Sequence, residues 1–258
     1  MILVCSGDSF THGMELWEEK NVPGYTELKT QQDAFNAKVK TLETEEARLK
    51  LAWPHALGEL LNCRAMNVGE DGCSELSITQ KTIKKLAAVK KEFPNEKIVC
   101  ILQDTELERI WIWYDEFKIN LNMSIVSLSS YYPGDKLEAY ELKNIYLTKQ
   151  PTEMLLSEYY LQGLAVKNFC ANNDIDFLHF QMFRNWKRDD YWIKTIELSM
   201  IEKLYFDPKH TVNDNMTNML VEYYQHDNFV LPGLHVNCEA QKIIAKLLFE
   251  ELKIRGLM

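Results

Sequence analysis

The sequence predicts an α/β fold, a three-layer α/β/α sandwich around a mostly parallel central sheet with large helical and aromatic insertions. Two observations predict it. Four short apolar runs, at 2–5 (ILVC), 64–68 (RAMNV), 97–102 (KIVCIL) and 175–180 (IDFLHF), read as strands buried on both faces. Helical patterns lie between them, and strand–helix alternation implies parallel strands joined by helical crossovers.

Each helix is read from its period and its ends. Residues 74–92 set Leu76, Ile83, Leu86 and Val89 near one face with lysines opposite; Ser74 and Ser77 are candidate starts, and Phe93-Pro94-Asn95 is a stop. Residues 152–171 open on the cap-like Thr152-Glu153 and carry Leu155, Tyr159, Leu161, Leu164 and Val166. Residues 238–254 carry Ile243, Ile244, Leu247, Leu248 and Leu252 and end near Gly256. Nothing resembling a linker divides the chain, so residues 1–258 are expected to form one domain, with inserts at 17–50, 105–150 and 181–230 that are too long for plain loops. The charged stretch 28–50 reads as a solvated helix or hairpin, its run "ETEEARLK" as a solvated face. The other two inserts are rich in tryptophan and tyrosine and read as excursions at the sheet edge or over a site.

Composition narrows the function. With 46% hydrophobic and 26% charged residues the chain has the make-up of a soluble globular protein. Its 38 acidic against 29 basic residues give a net charge of −9, which argues against polyanionic partners, so neither nucleic acid nor an anionic membrane is expected. The opening residues lack a basic leader, no stretch approaches a membrane span, and the six cysteines form no Cys-x-x-Cys pair. These features suggest a reducing, cytoplasmic setting with buried thiols. No metal or nucleotide motif stands out, and no cofactor is expected.

The chemistry is sought at the carboxyl ends of the strands, where open parallel sheets gather ligands. The first strand runs directly into Gly7-Asp8-Ser9. Gly7 permits a sharp turn, while Asp8 and Ser9 are equally good helix caps, so capping and reactivity are both open for this stretch alone.

"GDSF" near the N-terminus resembles the first block of the GDSL/SGNH hydrolases, in which the serine is the nucleophile. The resemblance implies the flavodoxin-like SGNH framework and can be followed down the chain. Its second block corresponds to "NVGEDGCS", with Asn67 at its head and Gly72 as oxyanion donor; a plain strand-to-helix turn capped by Ser74 fits as well. The third block, Gly-x-Asn-Asp in the family, is replaced by "CILQDTELER", where Thr105 falls on the missing asparagine and Gln103 lies nearby. Either side chain can donate to an oxyanion; losing one such donor typically costs roughly 2.7–4 kcal/mol of barrier.

The final block corresponds to "LPGLHVNCEAQKIIAKLL", with His235 just ahead of the last helix. The family's aspartate falls on Pro232, so a backbone carbonyl or another acid, with Asp227 the named candidate, is expected to orient the imidazole. His12 lies close enough in sequence to Ser9 to line the pocket.

The resemblance thus implies a serine esterase acting through a Ser9 acyl-enzyme with His235 as general base. Its oxyanion would be held by the Ser9 and Gly72 amides with Thr105 or Gln103, and its substrate would be a small-molecule or carbohydrate ester. A binding or structural protein on a decayed hydrolase framework is the rival reading, and acyl transfer to an acceptor other than water would use the same residues. A homo-oligomer stays open.

Overall fold

The computed structural model describes residues 1–38, 41–105, 109–114, 119–124, 152–181, 204, 209–212 and 235–258. Its strands are β1 (Ile2–Ser6), β2 (Arg64–Asn67), β3 (Ile98–Asp104), β4 (Arg109–Tyr114), β5 (Ile119–Ser124) and β6 (Asp176–Gln181). Its helices are α1 (Ser9–His12), α2 (Leu16–Asn21), α3 (Gln31–Ala37), α4 (Leu42–Leu51), α5 (Trp53–Leu60), α6 (Glu75–Glu92), α7 (Thr152–Asn172) and α8 (Cys238–Ile254), with a 3-10 turn at Tyr25–Glu27.

The fold is α/β. Four strands form an all-parallel sheet in the order β2-β1-β3-β6. Every residue of β1 and β3 is buried, which is why these segments read as continuous apolar runs instead of alternating ones. Alternation appears in what each residue touches. Leu3, Cys5, Val99, Ile101, Leu178 and Phe180 pack with Trp53 and Leu57 of α5 and with Ile244 and Leu248 of α8. Ile2, Val4, Ile98, Cys100, Leu102 and Phe177 pack with Ile78, Leu86 and Val89 of α6 and with Val166 and Cys170 of α7. The strand period of two sorts these residues onto opposite faces. Helices thus cover both sides of the sheet, an arrangement compatible with three α/β/α layers.

The caps follow local chemistry. Ser74 accepts the Ser77 amide at the start of α6, and Asn237 accepts the Ala240 amide at the start of α8. α5, which the periodicity reading did not separate out, carries a proline in its first turn, where the missing N–H costs nothing.

The insert after β1 differs from its sequence reading. α4 is not wholly solvated: Arg48 is fully buried and Thr44 nearly so. The Arg48 guanidinium bonds both carboxylate oxygens of the fully buried Glu18 in α2 and also the Glu45 carboxylate one turn back. A regular spread of charge along a helix cannot announce that one arginine will point inward. In the second insert, β4 and β5 form an antiparallel hairpin, running from Arg109↔Ser124 to Tyr114↔Ile119. The rest of 105–150 past Thr105 lies outside the described residues, as does 181–230 apart from Gln181, Leu204 and 209–212. No helix among the described residues is long and apolar enough to cross a membrane.

Removing one partner of a buried ion pair strands the other. Arg48→Ala is therefore expected to lower unfolding free energy by about 3–5 kcal/mol in urea titrations. The double change Glu18→Leu with Arg48→Met should cost far less.

Candidate active site

The site starts where β1 stops. A Cβ on Gly7 would lie 2.8 Å from the Gln103 Cβ and would overlap the Thr11 hydroxyl, so only glycine lets this turn press against β3. Asp8 takes the capping role. Its Oδ1 accepts the Phe10 amide at 3.0 Å and the Gln103 Nε2 at 2.7 Å, while Oδ2 accepts the Thr105 hydroxyl at 2.9 Å. With Asp8 as cap, Ser9 is the first residue of α1, and its hydroxyl lies 2.9 Å from Nε2 of His235. The two residues are 226 positions apart in sequence.

His235 is oriented by a carboxylate that the sequence reading did not single out. Its Nδ1 lies 2.7 Å from Glu15 Oε2, and its backbone N–H donates to the same oxygen at 3.2 Å. A carboxylate accepts, so Nδ1 carries the proton and Nε2 presents its lone pair to the serine hydroxyl. Glu15 Oε1 in turn accepts the Tyr25 hydroxyl at 2.5 Å. Burial, and then the Glu15 carboxylate, push the Tyr25 phenol up, which keeps it a donor. The set runs from a buried end to an opening: the Glu15 side chain is 4% exposed and the His235 side chain 16%. The His235 ring also packs on Phe10, with centroids 4.9 Å apart.

Glu15 holds a left-handed backbone conformation, with φ of +67°. A non-glycine residue there costs on the order of 1–3 kcal/mol and persists where its surroundings over-determine it. Here Tyr25, ten residues on, and His235, 220 residues on, grip the carboxylate. The only sequence signal was an acid between apolar Met14 and Leu16, six residues past Ser9.

Further contacts lock the three chain segments together. Gln241 of α8, almost fully buried, accepts the Trp53 amide at 2.8 Å and donates to the Phe10 carbonyl at 3.1 Å. Glu19 accepts the Cys238 amide at 2.8 Å, fixing the start of α8 to α2. Burial, followed by Glu19, pushes the Cys238 thiol up to about 12, and burial raises the Cys5 thiol too, so neither is a ready nucleophile.

The remaining sequence-derived residues divide. Asn67 donates to the Thr11 carbonyl at 2.6 Å and accepts the Gly69 amide at 2.9 Å, tying the loop after β2 to α1. Gly72 lies in that loop with φ of +72°. It follows Asp71, which His12 Nδ1 meets at 2.9 Å and Lys38 Nζ at 2.5 Å. His12 therefore binds this loop and, through Nε2 at 3.1 Å, Glu45 of the insert. Against the desolvation that raises it, the His12 and Lys38 contacts hold the Asp71 carboxyl well below the usual range.

Gln103 and Thr105 are used otherwise than expected. Both are buried, and both donate to Asp8, with the second Gln103 amide hydrogen directed at the Asp104 carbonyl at 3.5 Å. The reason is the capping carboxylate, which in the low-dielectric interior claims the nearest donors. Asp227 lies outside the described residues, and so does Pro232; Glu15 stands in the orienting position proposed for Asp227. No three His, Cys, Asp or Glu side chains among the described residues converge as metal ligands.

Beside the site, Glu75 of α6 is buried with Oε2 accepting the Thr105 amide at 3.3 Å, while Oε1 has no partner among the described residues. Burial, then the Asp104 charge, raise its carboxyl well above the ordinary value, with Asp8 adding to this. The folded state thus holds this proton more tightly than the unfolded chain does. Stability contributed below the unfolded value is lost as pH rises toward the folded one. Glu75→Gln keeps an acceptor for Thr105 and removes the charge. Its melting temperature relative to the natural chain should rise as pH increases above the ordinary carboxylate range in thermal unfolding.

No family model matches the chain, and no curated protein matches it either.

Proposed function

We propose that this protein is a serine ester hydrolase of the SGNH type, acting on carboxyl esters or O-acetyl groups of a small molecule or carbohydrate. The observation that carries the reading is the line of hydrogen bonds from Ser9 through His235 to Glu15 at 2.9 and 2.7 Å. A hydroxyl is a weak nucleophile until a positioned base takes its proton, and the base needs a fixed tautomer. Both conditions have their groups here. The strand order supports the framework: β1 lies between β2 and β3, and the site follows the ends of β1 and β3, where such sheets bind ligands.

In the proposed reaction, Ser9 Oγ attacks the ester carbonyl carbon as His235 Nε2 accepts the hydroxyl proton. Glu15 stabilises the imidazolium that forms. The developing oxyanion is held by the backbone amides of Ser9 and Gly72; Gln103 and Thr105 act one step back by holding Asp8. Collapse expels the alcohol, which takes the proton from His235 and leaves an acyl group on Ser9. Water then attacks the acyl carbon with His235 as base, releasing the acid and restoring the serine.

A second reading, a binding or structural protein on a hydrolase framework, draws on the engagement of Gln103 and Thr105 with Asp8, which leaves no side-chain donor for the oxyanion from this pair. One assay separates the two. With p-nitrophenyl acetate, the natural chain should turn over and Ser9→Ala should not; equal, negligible rates in both would sink the hydrolase for simple esters. Glu15→Gln offers its amide to the wrong tautomer and should lower kcat by about 10³–10⁴-fold.

A further inference from the structure

We propose that Tyr25 is a positioning residue of this site: its hydroxyl holds Glu15 in place against His235 and moderates the charge that the carboxylate presents to the imidazole. The inference rests on the hydrolase reading for its consequence in catalysis, but the coupling itself does not. Three observations support it. Tyr25 is 1% exposed, in the short 3-10 turn Tyr25–Glu27. Its hydroxyl takes one carboxylate oxygen at 2.5 Å, while His235 takes the other through ring and backbone. Between them, the two residues occupy both oxygens of a side chain whose backbone is in an unfavourable region.

The two interactions work against each other electronically. A carboxylate that accepts a hydrogen bond on one oxygen has less negative charge to offer on the other. Tyr25 thus fixes the geometry and at the same time limits the negative charge that Glu15 turns toward the His235 ring. The remaining charges near the pair are largely committed. Glu18 and Arg48, both close enough to act on Tyr25, bond one another, Glu19 accepts the Cys238 amide, and Lys20 and Lys242 stand near Cys238. The insert at 17–50 therefore does more than decorate the fold: through Tyr25 it reaches the general base at second hand.

The test is the titration of His235 followed by NMR of the imidazole, assigned with a His235→Gln variant. In Tyr25→Phe the midpoint should rise by about half a unit or more, while kcat for p-nitrophenyl acetate falls about tenfold at constant KM. A merely structural tyrosine would lower the melting temperature and leave the midpoint where it was. In a Glu15→Gln background the tyrosine change should no longer move the midpoint. Should Tyr25→Phe fail to fold, 3-fluorotyrosine placed at position 25 makes a stronger donor and should lower the midpoint. An unchanged midpoint in the folded variant, or an equal shift without the Glu15 carboxylate, overturns the proposal. Absence of turnover in the natural chain would instead count against the hydrolase reading, because the titration is read whether or not the protein is active.

Discussion

One carboxylate joins the two ends of this chain. Glu15 accepts both the ring and the backbone N–H of His235 through a single oxygen, so the segment after the first strand and the segment before the last helix cannot separate without stranding a buried charge. The position of Ser9 relative to the imidazole depends on this contact. Gln241 and Glu19 reinforce it from the helix side, the first by gripping the backbone of α1 and α5, the second by holding the start of α8.

Beneath this junction the parallel sheet performs a simpler task. Pairing of β1 with β3 brings Ser6 level with Leu102, so the turn at Asp8 meets the last residues of β3. Asp8 then turns proximity into rigidity by drawing donors from Phe10, Gln103 and Thr105. A carboxylate buried this completely has to be satisfied, and the groups that satisfy it are removed from other duties. The same requirement explains why the Gln103 amide and the Thr105 hydroxyl are engaged with Asp8.

Much of the framework was legible in the sequence because burial leaves a pattern. ILVC and KIVCIL became the fully buried β1 and β3, and Ser74 and the Phe93 boundary marked α6 as expected. The pairing of Ser9 with His235 was also within reach, since a parallel sheet delivers its loops to one rim. Glu15 was not. A tertiary contact across 220 residues leaves no periodic trace, and an acid in a left-handed turn looks like any surface glutamate. Arg48 escaped for a related reason: it sits in a run of charges whose average is polar, and its burial is made tolerable by Glu18, 30 residues away, together with Glu45.

The relay is tested most directly by the rate at which a fluorophosphonate modifies the protein as pH is varied, with the adduct located by peptide mapping. The account predicts a single adduct on Ser9, formed faster as one basic group loses its proton and then levelling off, with the whole curve depressed in Glu15→Gln. An adduct on another residue, or none on Ser9 at any pH while the protein remains folded, would contradict it.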